Sequence, residues 1–217
     1  MRAMALPRRQ FVIASAAMLG APALAQAARP LAAMTEGPFY PPRAWREAWP
    51  DQDADLTRVQ IAGGRVLVAS GEHLGLEAVV VDTQGRLIDG AEVEIWQCDT
   101  LRVYRHPNET RDPARIDTGF QGFGATRSDE AGSARLRTIK PVPYPGRTPH
   151  IHVKLRHASF GELTSQLFLA GDAGNERDFL WRHLAAEDRA ALAMQLQPAP
   201  EGSGLRWLVR HALIVPA

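Results

Sequence analysis

Two histidines one residue apart, His150 and His152, are the sharpest candidates for chemistry in this chain. On a β-strand residues i and i+2 project to the same face, so both imidazoles can reach one metal ion. Imidazole is the side chain most often used for that purpose. The pattern alone is equally compatible with two ordinary surface histidines. Its surroundings narrow the chemistry. A carboxylate a few residues on would complete an imidazole–carboxylate site, but Lys154, Arg156 and His157 fill that stretch, and the odd spacing of His157 puts it on the opposite face. Just upstream, residues 140–149 form a loop carrying Tyr144 among four prolines, which make the delivery of that side chain rigid. The chain has three tyrosines, and a second of them, Tyr104, ends the run that begins at Val93. Either tyrosine alone could be core or rim packing. Cys98, the single cysteine, sits in an apolar run and reads as a packing residue, and no disulfide can form within the chain.

Strand-like runs must position these groups. Residues 77–82, 91–98, 132–139, 150–156, 163–170 and 205–215 are each rich in alternating or β-branched residues, with a turn at 83–86. Short strands at this spacing predict an all-β fold with an antiparallel β-sandwich core. Between residues 176 and 196, Phe179, Leu180, Leu184, Leu192 and Leu196 recur at near-helical intervals, which predicts a helical excursion of one or two short helices, broken near Glu187 and Asp188 with Asp188 starting a second turn. Pro30, Pro38, Pro41, Pro42 and Pro50 interrupt the segment before Leu76, so residues 26–75 read as an irregular N-terminal arm and 76–217 as the sandwich domain. Within the arm, Thr35-Glu36-Gly37-Pro38-Phe39 reads as a tight turn with an aromatic anchor.

A length of 217 residues with 45% hydrophobic and 23% charged composition supports one substantial core. The N-terminus resembles a twin-arginine signal peptide: Arg8-Arg9, a short apolar run, then Ala23-Leu24-Ala25, with cleavage expected after Ala25 or Ala27. The resemblance implies an exported protein, periplasmic or extracellular, and the apolar run is too short to span a bilayer comfortably. Losing Arg2, Arg8 and Arg9 with it turns the net charge from +1 to −2, leaving 22 basic against 24 acidic residues. No basic patch points to a nucleic-acid partner.

Taken together, Thr35 to Tyr40, residues 82–107, 119–140 and 144–155, and Ser165-Gln166-Leu167-Phe168 closely resemble the intradiol ring-cleavage dioxygenases, a family that includes catechol, hydroxyquinol and protocatechuate dioxygenases. The resemblance implies one Fe(III) per chain, held by Tyr104, Tyr144, His150 and His152. Arg147 and Gln166 would stand beside the substrate, and Gly37 and Pro38 would line its pocket. It further implies that Tyr144 is the phenolate that leaves when substrate binds and Tyr104 the one that stays. The chemistry agrees. A hard trivalent ion suits phenolate oxygen, and a bound cation lowers a phenol's pKa from its ordinary value of about 10. Two phenolates and one hydroxide balance three positive charges, and a catechol dianion can replace the hydroxide and one phenolate without changing that balance. The implied partners are a small aromatic diol and O2, with a homo-oligomer or a related subunit completing the assembly. Only Pro145 and Gly146 separate Tyr144 from Arg147, whereas protocatechuate-type members usually carry a longer insertion there with aromatic and basic residues. This predicts weak discrimination by ring substituent, unless Arg102 or Arg105 supplies a charge. Arg105 and His106 otherwise read as solvated rim residues. The competing reading from the residues themselves is a non-catalytic exported β-sandwich holding Zn or Cu on its histidine pair.

Overall fold

The computed structural model describes residues 29–49, 53–109 and 115–217. Arg8-Arg9 and the Ala23-Leu24-Ala25 site lie outside the described residues. The chain runs α1 (Arg43–Glu47), β1 (Arg58–Ile61), β2 (Arg65–Val68), β3 (His73–Asp82), β4 (Glu92–Trp96), β5 (Phe123–Arg127), β6 (Ser133–Ile139), β7 (His150–His157), β8 (Gly161–Leu169), α2 (Phe179–His183), α3 (Ala186–Leu192), β9 (Ala193–Met194), β10 (Gln197–Pro198) and β11 (Trp207–Val215). One sheet has the order β10-β11-β3-β6, the other β5-β4-β7-β8-β9, and β1-β2 form a separate hairpin. Pairing is antiparallel except between β3 and β11 and between β8 and β9. The fold is the expected β-sandwich, mostly antiparallel, with short helices confined largely to one excursion.

The inner faces follow the strand period of two. Leu74, Leu76, Ala78 and Val80 of β3 meet Val93 and Ile95 of β4, Ile151, Val153 and Leu155 of β7, and Leu167 of β8 in one buried cluster. The outer face of the five-stranded sheet is unusual because it is polar and still buried. Register puts Trp96 opposite His152 and Glu94 opposite Lys154 across β4–β7, and His152 opposite Gln166 across β7–β8. Buried on both faces, β7 keeps a strict alternation, and its outward set is His150, His152 and Lys154. The N-terminal arm and the 142–147 loop cover that set: Phe39, Tyr40, Val142 and Tyr144 pack against Trp96 and Tyr104.

Three local expectations change. The arm is not irregular throughout: β1 and β2 pair in it, turned by Gly63 and Gly64 at φ +82° and +72°, and the alternation of Arg58–Ile61 with Arg65–Val68 around two glycines carries that signal in the sequence. Strand β5 is hard to see in sequence because Gly122 precedes it and Gly124 interrupts it. The helical excursion breaks at Leu184 and Ala185, both extended, and not at Glu187 and Asp188. Those two acids sit in the first turn of α3, where carboxylates favour a helix N-terminus. The excursion ends at Leu192, beyond which Ala193–Met194 adds to the edge of β8.

Candidate functional site

Strand β7 brings His150 and His152 to one point, with their Nε2 atoms 3.2 Å apart. Each is 3% exposed. The Nδ1–H of His150 donates to the Thr148 carbonyl at 2.7 Å, which leaves its Nε2 lone pair directed into the site. Burial, then the Arg147 charge, pushes the His150 pKa down to about 3. Burial and the neighbouring His150 hold His152 well below the ordinary histidine range. Both rings are therefore neutral at physiological pH, the state in which imidazole ligates a metal.

The two tyrosines arrive from opposite sides. Tyr104 follows a turn in which the buried Asp99 accepts from the N–H groups of Leu101 and Val103 at 2.9 Å and of Asp117 at 2.8 Å. In that turn Arg102 has a left-handed φ of +68°. A side chain there costs about 1–2 kcal/mol relative to glycine, partly offset by the entropy glycine loses on folding. Arg102→Gly is accordingly expected to stabilise the fold by about 0.5–1 kcal/mol, read from the midpoint of urea unfolding. A destabilised variant would show that Arg102 makes a compensating contact.

Tyr144 is delivered by a type II turn, Tyr144-Pro145-Gly146-Arg147. Proline pre-sets the first central residue, Gly146 at φ +81° supplies the second, and the Arg147 N–H closes on the Tyr144 carbonyl at 2.9 Å. The rings of Tyr104 and Tyr144 lie 5.7 Å apart and nearly perpendicular. Tyr104 is 6.2 Å from the His152 ring and Tyr144 is 5.5 Å from the His150 ring. All four predicted ligand side chains thus converge. Tyr104 is sealed from solvent, whereas Tyr144 is only partly buried.

Arg147 is fixed by two partners. Its Nε donates to Asp178 Oδ2 at 2.8 Å and its Nη2 to Gln166 Oε1 at 2.6 Å, leaving Nη1 3.5 Å from the Tyr144 hydroxyl. Gln166 is fully buried and also donates to the Thr35 carbonyl at 3.2 Å, so it joins the arm to the site. A cavity of about 320 Å³ opens beside Tyr144 and Arg147 and is also lined by Arg177 and Asp178. Gly37 lies against His152: a Cβ built there would come within 3.6 Å of the imidazole. Its neighbour Pro38 is exposed, with its carbonyl 3.5 Å from Asn108 Nδ2.

Several contributors were not singled out from sequence. Asp178, 1% exposed, caps α2 with Oδ1 while its Oδ2 holds Arg147 and the Thr148 N–H. An Asp immediately before Phe179-Leu180 is a recognisable N-cap signal. Trp96 stacks on His152 at 4.7 Å and Phe39 on Tyr104 at 4.5 Å, each with a 12° interplanar angle. His106 is buried, not solvated: its Nε2 donates to the Tyr40 carbonyl at 3.1 Å and its Nδ1 accepts from the Asn108 N–H. Neither Arg102 nor Arg105 lines the cavity. Arg105 instead donates to the Thr118 carbonyl and lies over Trp49.

The residues fit a ferric ion. Where the rings converge, the sealed Tyr104 Oη makes no hydrogen bond of ordinary geometry, and a metal ion would give it a partner. Burial, with Tyr144 next to it, lifts the Tyr104 phenol well above its ordinary range, and burial also raises Tyr144. Such phenols ionise only if a strong cation joins them. Among the described residues no three of His, Cys, Asp and Glu converge, so a metal at this point must draw on the phenols. That is a poor site for Zn or Cu and a good one for a hard trivalent ion.

The dioxygenase family model matches residues 36–207. The chain is 32% identical over 163 residues to the protocatechuate 3,4-dioxygenase beta chain of Burkholderia cepacia, covering 70% of this chain and 68% of that one. It is 28% identical to a catechol 1,2-dioxygenase of Pseudomonas sp., covering 82% of this chain but only 60% of that enzyme. An intradiol ring-cleavage dioxygenase from Tetranychus urticae, 20% identical, has the same fold at a TM-score of 0.61, with 87% of this chain and 95% of that one covered. A family match over most of the sandwich, a relative of this identity and coverage, and a shared fold lead to one conclusion: the chain belongs to the intradiol ring-cleavage dioxygenase family.

Proposed function

We propose that this protein is an Fe(III)-dependent intradiol dioxygenase that cleaves a catechol-type ring between its two hydroxyls, inserting both atoms of O2 to give a muconate-type diacid. The convergence of Tyr104, Tyr144, His150 and His152 beside Arg147 carries this reading. Those four side chains would hold one ferric ion. Bound there, the ion supplies the Lewis acidity and electron-accepting capacity that make a catecholate ring reactive toward O2.

The chain's own groups supply the rest. Tyr104, sealed under Phe39, has no room to leave, whereas Tyr144 stands on a two-residue turn at the cavity and can swing aside. Its burial-raised pKa makes the released phenolate a competent acceptor for a substrate proton. Arg147, held by Asp178 and Gln166, keeps Nη1 at the place that the phenol vacates. There a permanently charged guanidinium can stabilise negative charge that develops on the ring. The arm and the loop close over the outer sheet face and keep water from competing with the reacting ring.

The decisive experiment is oxygen uptake by the iron-loaded protein over catechol, 4-methylcatechol, hydroxyquinol and protocatechuate, with products identified by mass. The short turn carries no basic residue before Arg147, and the other cation on the cavity, Arg177, is exposed. An exposed guanidinium adds little affinity, so protocatechuate is expected to be preferred over catechol by no more than about tenfold, roughly 1.4 kcal/mol. A thousandfold preference would overturn the substrate reading, and no uptake with any catechol would overturn the function. The Gly37 and Phe39 that close on His152 and Tyr104 come from the same chain, so this wall of the pocket is built within one chain, and a homo-oligomer or a related subunit would complete the assembly.

Export by the twin-arginine route belongs to the same proposal. It is supported by Arg8-Arg9 ahead of an apolar run and Ala23-Leu24-Ala25. Changing Arg8 and Arg9 together to Lys is expected to leave precursor in the cytoplasm. Fractionation with N-terminal sequencing checks this, and normal export of the double variant would refute it.

A further inference from the structure

Residues 35–41 form one wall of the site, yet no β-ladder holds them. Among the described residues the only backbone pairing in this segment is the turn at Pro38-Phe39, no backbone bond ties it to the sheets, and Pro38 and Pro41 have no N–H to offer. A strip so poorly tied by its backbone opens easily unless side chains fix it. Two of its residues nevertheless touch the candidate ligands, Gly37 against His152 and Phe39 flat on Tyr104. The Gln166 side chain holds the Thr35 carbonyl at one end, and the His106 ring holds the Tyr40 carbonyl at the other.

The strongest tie is the Tyr40 side chain. Its hydroxyl donates to Glu94 Oε2 at 2.8 Å and accepts from Arg156 Nη2 at 2.9 Å, while the Lys154 ammonium lies 4.1 Å from its ring centroid. Glu94 is 1% exposed and is paired with Arg46 at 2.8 Å and Arg156 at 3.0 Å. Lys154 in turn pairs with Glu36, the residue before Gly37. Bonds from a phenol to a buried carboxylate are charge-assisted and directional, the strong kind. Burial, with Glu94 as acceptor, pushes the Tyr40 phenol up to about 12, so it remains a donor across the physiological range. Along the strands Glu94 and Lys154 lie two residues from Trp96 and His152, and Arg156 lies four from His152.

We infer that Tyr40 is a positioning residue for the candidate centre: its hydroxyl, locked between Glu94 and Arg156, sets where Gly37 and Phe39 meet His152 and Tyr104. For its effect on turnover this rests on the ring-cleavage reading, but its effects on the wall and on the metal spectrum do not. Tyr40→Phe removes one oxygen and leaves Glu94 paired with both arginines, so the variant folds. It is expected to bind iron at the wild-type stoichiometry, to shift the phenolate-to-metal band in wavelength, and to lower kcat/KM for catechol about a hundredfold, the cost of roughly an ångström of misplacement. In the metal-free protein, amide hydrogen exchange over residues 35–41 should quicken. Arg43→Ala, on the same arm but paired only with the exposed Glu47, should change none of these readouts.

A Tyr40→Phe protein with a lowered melting temperature but wild-type band, exchange and kcat/KM would show a merely structural contact and overturn the inference. Loss of iron would overturn it too, since positioning acts on a centre that is already assembled. A wild-type protein that binds iron and shows the band, yet consumes no oxygen with any catechol, would instead overturn the ring-cleavage reading, and the band shift and exchange would then decide the role of Tyr40.

Discussion

His150→Ala and His152→Ala are each expected to abolish dioxygenase activity and to weaken iron binding by more than about a hundredfold, beyond the ten- to hundredfold typical of losing only an outer hydrogen bond. The two rings meet at one point with Nε2 atoms 3.2 Å apart and are kept neutral by burial. Removing either leaves a coordination position that no neighbouring side chain can fill, since Trp96 and Phe168 pack against the pair with apolar faces. Iron content and the visible band report the loss directly. Tyr104→Phe and Tyr144→Phe should each remove part of that band while the histidines still hold metal, because each deletes one phenolate. An unchanged spectrum in both tyrosine variants, or normal iron content in both histidine variants, would sink the ligand assignment.

The parts of the site that sequence disclosed are those fixed by local geometry. His150 and His152 share a face because strand parity demands it, and Tyr144 and Arg147 are presented together because Pro-Gly occupies the centre of a tight turn. Tyr104 is different. Nothing in its own run says that it meets Tyr144, because that contact depends on Asp99 folding the turn before it and on Phe39, sixty-five residues away, stacking on its ring. The ligand roles of both tyrosines and the placing of Arg147 beside the substrate came through resemblance. Asp178 went unnoticed for a related reason: one side chain both caps a helix and orients an arginine, and the second task is set by tertiary packing alone. The polar residues Glu94, Lys154 and Gln166 would read as the solvent side of half-exposed strands. They are buried because the arm lies over them, and a segment without periodicity gives no sign of where it docks. In the arm itself the hairpin was legible around Gly63-Gly64 and was obscured by the prolines on its N-terminal side.

Arg147→Ala is expected to keep iron and colour while lowering turnover by on the order of a hundredfold, the usual cost of one electrostatic stabiliser in a water-excluded site. Its guanidinium touches no candidate ligand nitrogen, and its nearest contact with the centre is the 3.5 Å approach of Nη1 to the phenol of Tyr144. Asp178 makes the complementary case. Its carboxylate is fully buried against an Arg147 side chain that is only 10% exposed, and breaking such a pair from one side typically costs about 3–5 kcal/mol because the remaining charge is stranded. Asp178→Ala also removes the cap on α2, worth about 1 kcal/mol. Asp178→Ala should therefore destabilise the fold strongly, whereas Arg147→Ala, which frees Asp178 to keep its bonds to Thr148, Leu180 and Trp181, should destabilise it much less. Asp178→Asn separates the two roles. With its amide oxygen it can keep the cap, but its amide nitrogen then faces the Thr148 N–H and the guanidinium, both donors, and accepts from neither, so kcat should fall while the share of stability that the cap supplies is kept. Chemical denaturation and steady-state kinetics on the three variants test the argument. If Arg147→Ala loses its iron, or if Asp178→Asn keeps wild-type kcat, the arginine is a structural strut and does not stabilise charge on the substrate.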